Sequence, residues 1–342
     1  PSLKDAYMPA QDAKEQIPVP VFRMLGSDPI RQYDVGLGSN GQAVVTMEPV
    51  YESGGGDSSW VHWYFNQFID GESLAFGYLQ VGQENSFTWN AMAKGFKIQM
   101  PLIARLRNAG KIKVETLAET GKWFRNNFKI TPPASVTVTK DIAGSNKKTV
   151  WFDSRFYRMN LLWDDSTLRF RDIHIFKENM ISPYLKEKST SGKYSFFTLP
   201  FVDGNRWSSQ SDVAGLQFKA FINGKMVLMK GSGNPQINSI KKGVLHIIWP
   251  VEFKDTLVMN INERQIKIRM QGNHLINWCL QLSAASATKL PFTNINSEKI
   301  KCRFEKTDYS IVARSGSFSQ PGGNVIFSIS PKNNLLMLDL AN

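Results

Sequence analysis

Hydrophobic and polar positions divide the chain into two parts with different periods. Ser73–Gly82 is a continuous apolar run of strand length, which is typical of a parallel strand covered on both faces. Trp89–Leu106 carries apolar residues at helical spacing, and Gly110 stands where a helix C-terminal cap belongs. Lys111–Leu117 reads as a second strand. The pattern therefore predicts a β-α-β crossover.

A shorter helix is predicted on each side of this crossover. Three glycines at 54–56 and then Asp57, a good N-cap residue, precede the first of them. No Lys and Ser/Thr pair follows these glycines as a phosphate-binding loop requires, so we interpret them as a flexible turn. The apolar sides of the two helices are formed by Trp60, Trp63, Tyr64 and Phe68, and by Trp123, Phe124 and Phe128.

After Pro132-Pro133 the chain changes to short β-like runs separated by turns. Such spacing over about 200 residues favours a large sandwich over a small barrel. We therefore predict an α/β plus all-β protein, with a partial α/β barrel at 1–130 and an antiparallel β-sandwich at 131–342. The predicted strands are 136–139, 149–152, 155–163, 167–175, 216–222, 225–229, 244–249, 256–261, 265–270, 278–282, 300–305, 309–313 and 325–330.

A carboxylate follows each predicted strand of the first part. Val19–Leu25 and Ala43–Met47 are two further strand candidates there. In parallel α/β sheets, ligands bind where the carboxyl ends of strands meet the next loops. The four carboxylates expected at this rim are Asp28, Glu48, Glu84 and Glu119.

Several stretches of the sequence resemble one group of proteins. They are residues 20–30, Tyr33-Asp34, residues 48–51, 82–87 and 119–124, and later residues 168–174. Together they resemble the later portion of bacterial glycoside hydrolases that combine an incomplete α/β barrel with a galactose-mutarotase-like β-supersandwich. The barrel of those proteins is similar to that of alpha-mannosidases and polysaccharide deacetylases. The resemblance implies carbohydrate hydrolysis, without fixing the bond that is cleaved.

Hydrolysis of a glycosidic bond uses one acid and a second carboxylate as nucleophile or base. We predict Glu48 and Glu119 as this pair because they follow their strands most directly. The predicted substrate-binding residues are Asp28, Tyr33, Asp34, Glu84 and Asn85, with Trp63, Trp89 and Trp123 as rings for a sugar face. Each tryptophan also fits a buried helix stripe. Asp172 and His174 alternate on a later strand, where a structural hydrogen bond is the simpler interpretation.

Composition adds constraints on partners and cofactors. The formal net charge of +12 invites a polyanion as ligand, but the basic residues are spread along the 342-residue chain, which makes nucleic acid an unlikely partner. Two cysteines and four histidines, with none of the short metal-ligand spacings, predict no metal site and no cofactor. Cys279 and Cys302 are expected as free thiols, with a disulfide as the alternative. No apolar run is long enough to span a membrane.

Two alternatives to an enzyme remain open at this stage. The first is a non-catalytic carbohydrate-binding module, and the second is a binder of nucleic acid or another polyanion. The chain begins at Pro1 without a visible signal, which we interpret as a processed or truncated product of a secreted or periplasmic protein. The missing first half of the barrel is then an expected partner, beside the carbohydrate.

Overall fold

The structure, a computed structural model, describes residues 1–22, 26–32, 46–79, 81, 87–188, 190, 198–273, 276–285 and 288–341. Three α-helices precede all the strands in this part of the chain. They are α1 (Ser58–Ile69), α2 (Trp89–Asn108) and α3 (Leu117–Asn127). The strands are β1 (Ala134–Val138), β2 (Lys148–Asp153), β3 (Tyr157–Asp164), β4 (Thr167–Ile175), β5 (Leu199–Asp203), β6 (Gly215–Ile222), β7 (Lys225–Leu228), β8 (Gln236–Lys241), β9 (Val244–Pro250), β10 (Thr256–Ile261), β11 (Gln265–Gln271), β12 (Trp278–Ser283), β13 (Phe292–Ile295), β14 (Lys299–Phe304), β15 (Thr307–Ser315), β16 (Ser317–Ser319), β17 (Phe327–Ser330) and β18 (Leu335–Asp339).

These strands form two antiparallel sheets. The ten-stranded sheet has the order β1-β2-β3-β4-β6-β12-β17-β16, with β5 paired to β4 and β7 paired to β6. The eight-stranded sheet has the order β13-β14-β15-β18-β11-β10-β9-β8. The predicted antiparallel β-sandwich is confirmed, and the predicted span 167–175 coincides with β4.

One hydrophobic core fills the space between the two sheets. Alternating positions of both sheets point into it, such as Ile266, Ile268 and Met270 on β11, because successive side chains of a strand face opposite ways. The Tyr309 hydroxyl of the eight-stranded sheet donates to the Pro200 carbonyl of the other sheet at 2.6 Å. This bond gives the buried phenol an acceptor on the opposite sheet.

A second hydrophobic cluster joins the helices to the outward face of the ten-stranded sheet. Trp60, Tyr64 and Phe65 of α1 pack there with Val138 of β1 and Leu162 of β3. The strands begin close to the predicted boundary at residue 130. The division into two domains stays a prediction, since this cluster is shared across it.

The helix predictions are confirmed, together with their caps. The Asp57 carboxylate accepts from the Trp60 N–H at 2.7 Å and so caps α1. Gly110, with φ of +69°, follows α2 in the left-handed region that glycine adopts readily. Cys279 and Cys302 are both buried free thiols, as expected.

The strands predicted before residue 134 are wrong wherever the structure describes them. Residues 73–79 and 81 form no strand, and Leu74 makes a single bridge to Ala134. Residues 111–116 form an exposed, irregular link, and Leu117 already begins α3. The strand predicted at Lys111–Leu117 is wrong because its polar residues face water and none of the described strands pairs with its backbone. A partial barrel is therefore not seen among the described residues.

The glycines at 54–56 are buried rather than flexible. A Cβ atom on Gly55 would lie 2.2 Å from the Met47 carbonyl oxygen. The Gln99 side-chain nitrogen donates to the Met47 and Gly55 carbonyls at 3.0 and 2.7 Å. Pro49 packs equally closely against Gly95 of α2, since a Cβ atom added to Gly95 would lie 2.3 Å from the Pro49 carbonyl oxygen. The turn at 46–56 is thus clamped against α2.

Replacement of Gly95 by alanine tests this clamp. Alanine is the better helix former, but the added methyl group meets backbone atoms, so we expect Gly95→Ala to lower the free energy of unfolding by about 1–3 kcal/mol. Gly121→Ala in α3 is the matched control. No atom lies within 4 Å of its added methyl group, and we expect a gain of about 0.5–1 kcal/mol. Urea unfolding of both variants measures the difference, and equal stabilisation would contradict the clamp.

Candidate functional site

A pocket of about 370 Å³ opens where the ends of the two sheets meet. Its size falls within the range of roughly 300–1,000 Å³ that is usual for small-molecule sites. Trp163 and Trp249 contribute its indole rings, and each of them is 1% exposed. Polar groups from separate loops complete the wall: Asn146, Lys148, Asp165, Ser166 and Asn234.

Tight turns place these polar groups at the ends of the strands. Asp165 and Ser166 form the two-residue loop of the β3–β4 hairpin, in which Asp165 has a φ of +51°. The Gly231 N–H donates to the Ser166 carbonyl at 2.7 Å and so ties the next wall of the pocket to this hairpin. A Cβ atom on Gly231 would lie 2.6 Å from Trp249 Nε1, so only glycine lets the chain pass this ring so closely.

The indole of Trp163 leaves one polar atom unsatisfied. Its Nε1 is buried and finds no hydrogen-bond partner among the described residues. A buried N–H without an acceptor costs about 1–3 kcal/mol, so such a donor usually marks a bound water or a ligand. Trp163 lines the same pocket as the amides of Asn146 and Asn234 and the carboxylate of Asp165, and these polar groups suit a ligand with several hydroxyl groups.

The two predicted catalytic carboxylates lie in different settings. Glu119 is exposed on the first turn of α3, and its carboxylate accepts from the Thr116 N–H at 2.7 Å and from the Thr116 hydroxyl at 2.9 Å. These bonds form a capping box and lower the pKa of Glu119. Glu48 is half-buried in the turn clamped by α2. The expected location of Glu119 after a parallel strand is wrong, and its catalytic role stays a prediction.

Asp28 is committed to a buried ion network. It is 2% exposed, and its carboxylate accepts from the Ile30 N–H at 2.8 Å and from Arg31 at 3.0 Å. The Arg31 guanidinium also donates to both carboxylate oxygens of Asp141, at 2.7 and 2.6 Å. Burial alone would raise the pKa of Asp141, but the bonds from Arg31, Ser145 and the Ala143 N–H lower it to about 2.

The other predicted binding residues are distributed as follows. Trp63 is buried, and its indole N–H donates to the Lys140 carbonyl at 2.7 Å. Trp123 is half-buried among Phe76, Phe124 and Phe128. Only Trp89 presents a largely open ring, 63% exposed and stacked on Phe96 with centroids 6.2 Å apart. Tyr33, Asp34, Glu84 and Asn85 lie outside the described residues.

Asp172 and His174 belong to a buried charged cluster on the outward face of the ten-stranded sheet. Arg158 donates to both oxygens of Asp172, at 3.0 and 3.1 Å. His174 Nδ1 lies 2.6 Å from the Thr198 hydroxyl, and its Nε2 lies 3.4 Å from oxygens of Asp172 and Asp203. Burial alone would raise the pKa of Asp203, but His174 and Arg206 lower it. The cluster ties β3, β4 and β5 together.

Comparisons with protein-family models, curated proteins and solved structures found no match to this chain. Within the described ranges, no group of three or more histidine, cysteine or acidic side chains is arranged to hold a metal ion. No helix in that part of the chain is both long and apolar enough to cross a membrane.

The ion network around Asp141 predicts a loss of stability in acid. In the folded chain the pKa of Asp141 is lowered to about 2, whereas its ordinary value is about 4. The ionised carboxylate therefore stabilises the fold fully at any pH above about 4. That contribution disappears as the pH falls from 4 to 2. We expect Asp141→Asn to melt below the unsubstituted chain at pH 7 and to approach it at pH 2.

Thermal melts between pH 7 and pH 2 measure this difference. Glu187→Gln, at an exposed position, is the control and should track the unsubstituted chain throughout. If the melting temperatures of Asp141→Asn and the unsubstituted chain differ by the same amount at every pH from 7 to 2, the ionised Asp141 carboxylate does not stabilise the fold as described.

Proposed function

We propose that this chain binds a poly- or oligosaccharide, with the pocket at the β3–β4 hairpin as its sugar site. The observation that carries the proposal is a pocket with amide, hydroxyl and carboxylate groups among its lining residues, which also include Trp163 with its unsatisfied indole N–H. Sugars offer many hydroxyl groups that donate and accept at once, and such groups satisfy amides, carboxylates and indole N–H donors together. The two indoles are each 1% exposed, so the polar groups around them, rather than ring stacking, are the proposed contacts to the sugar.

The resemblance to glycoside hydrolases supports the same ligand class. The large two-sheet sandwich is compatible with a β-supersandwich, whereas an incomplete barrel is not seen among the described residues. Secretion or export to the periplasm fits a ligand of this kind. Trp89 is a second surface at which a glycan can stack, since its ring is open to solvent.

Binding is better supported than hydrolysis. Cleavage of a glycosidic bond uses two carboxyl groups held about 5–9.5 Å apart. Asp165 is the one acidic residue among the described residues that line the pocket. Hydrolysis through Glu48 and Glu119 therefore stays a prediction from the sequence, and the strand expected before Glu119 is not formed.

Two substitutions in the pocket test the proposed site. Trp163→Phe keeps a ring and removes the indole N–H, and we expect it to weaken binding to an immobilised glycan about threefold to tenfold, the worth of one hydrogen bond. Asn234→Ala, at an exposed position where the fold tolerates change, should weaken binding similarly. Calorimetric titration with the best glycan of a panel gives the dissociation constants.

Asn294→Ala is the matched control, since this exposed amide lies on β13 and does not line the pocket. It should bind like the unsubstituted chain. If Trp163→Phe and Asn234→Ala both retain full affinity, the pocket is not the sugar site.

Hydrolysis has its own test. Incubating the chain with the same glycans should release no reducing ends. Release that disappears in Glu48→Gln and Glu119→Gln would instead establish the predicted pair and overturn a purely binding role.

A further inference from the structure

The outward face of the eight-stranded sheet is strongly basic. On β10, β11, β14, β15 and β18, successive side chains alternate between the core and this face. The charged residues that face outward on these strands are the cations Lys267, Arg269, Lys299, Lys301, Arg303 and Arg314, and the carboxylates Asp308 and Asp339.

Both carboxylates are already paired. A carboxylate oxygen of Asp308 lies 3.6 Å from Arg303 Nη1, and one of Asp339 lies 2.9 Å from Arg314 Nη2. Lys267 and Arg269 make no ion pair within the described ranges. Two neighbouring cations on one strand therefore face solvent with their charge uncompensated.

These two cations line a cleft of about 570 Å³. Val258 and Leu335 contribute apolar surface to it. The remaining polar walls come from amides, namely Asn260, Gln271, Asn333 and Asn334. Among the described residues, the lining of the cleft includes no aromatic ring.

The cleft is held in shape by hydrogen bonds. With its amide turned so that the oxygen faces Arg269, Gln271 accepts from Arg269 Nε and Nη2 at 3.0 and 2.6 Å. Asn334 accepts from the Trp278 indole N–H at 3.3 Å and donates to the Met270 carbonyl at 2.5 Å. Asn333 and Asn334 have φ of +49° and +61°, values that asparagine tolerates well, and they form a tight turn.

We infer that this cleft binds an oligosaccharide of uronic acids through its carboxylate groups. Although the Nε edge of its guanidinium is bonded to Gln271, Arg269 also has a second planar pair of N–H donors, on Nη1 and Nη2, that matches a carboxylate, and Lys267 adds a second positive charge beside it. The Asn334 amide is used within the wall of the cleft, and the amides of Asn260, Gln271 and Asn333 suit the ring hydroxyls, which donate and accept. Sites for single-stranded nucleic acid combine positive charge with aromatic rings for base stacking, and no such ring is found among the described residues that line this cleft.

The inference rests on the proposed function for the ligand being a sugar, but it concerns a different site. An experiment can therefore reject uronate binding in the cleft without rejecting the sugar pocket at the β3–β4 hairpin, and the reverse. Substitution of Trp163 should leave uronate binding in the cleft unchanged.

The test uses three probes: a uronic acid oligosaccharide, the same oligosaccharide with its carboxylates reduced to hydroxymethyl groups, and single-stranded DNA of similar length. Calorimetric titration of the full chain should show at least tenfold tighter binding to the uronate than to its reduced form. Arg269→Ala and Lys267→Ala should each weaken uronate binding at least fivefold. Arg269→Lys should recover only part of the loss, because it keeps the charge without the paired donors.

Lys301→Ala is the matched control, a cation on the same face that does not line the cleft. It should bind the uronate like the unsubstituted chain, and circular dichroism melts confirm that each variant folds. Asn260→Ala, which changes no charge, should also weaken binding and covers the case in which a charge variant fails to fold.

Three results would overturn the inference. They are equal affinity for the uronate and its reduced form, loss of binding in Lys301→Ala as large as in Arg269→Ala, and tighter binding of DNA than of the uronate at the same salt concentration. If Trp163→Phe still binds the uronate and no neutral glycan binds to the chain, the cleft is supported as the uronate site and the pocket is rejected as a sugar site.

Discussion

The buried guanidinium of Arg171 is the interaction on which the covered face of the ten-stranded sheet depends. Its side chain lies on β4, almost completely buried, and its Nε donates to the Asn160 side chain at 2.7 Å. Its terminal nitrogens donate to the carbonyls of Pro29 and Ile30. The guanidinium carbon also lies over the Trp151 ring, 5.6 Å from the ring centroid. A charge buried so deeply is tolerated only where hydrogen bonds replace its hydration. The turn at 28–31 supplies them.

That anchoring explains why the helices share a core with the sheet. The Trp151 indole N–H also donates to the Pro29 carbonyl, at 2.9 Å, so sheet side chains hold this turn twice. Once fixed, the turn places Asp28 and Arg31 against Asp141 and places Ile30 in the cluster formed with α1. The outward face of one sheet is therefore occupied by the chain itself. The outward face of the other sheet carries the basic cleft.

Much of the sandwich was predictable because its strands alternate or run apolar between clear turns. β4 and β10 were predicted to the residue, whereas short or half-exposed strands such as β8 and β16 were missed. In the first part, a continuous apolar run was interpreted as a parallel strand. Such a run does not distinguish a strand from an irregular segment that packs its side chains under a helix. Phe76, for example, packs against Trp123 and Phe128 of the α3 region instead of entering a sheet.

The site was harder to predict than the fold. Carboxylates were expected at one rim because a barrel was expected, and Glu119 proved to satisfy a helix end, a signal present in the sequence as Thr116 three residues before it. The pocket proposed to bind a sugar gathers Asn146, Trp163 and Asn234 from three separate segments, so no local sequence motif indicates it. The charge of the basic face was visible only as a total, since its lysines and arginines come together through strand alternation.

We propose that ligands bind at the end of the sandwich and on its basic outward face, while the helix-covered face serves the fold. Amide hydrogen exchange with and without saturating oligosaccharide distinguishes these surfaces. We expect slower exchange at 163–166 and 231–235 with a neutral glycan, and at 267–271 and 332–335 with a uronate. Protection confined to the covered face around Arg171 and His174, or no protection with any glycan that binds, would contradict it.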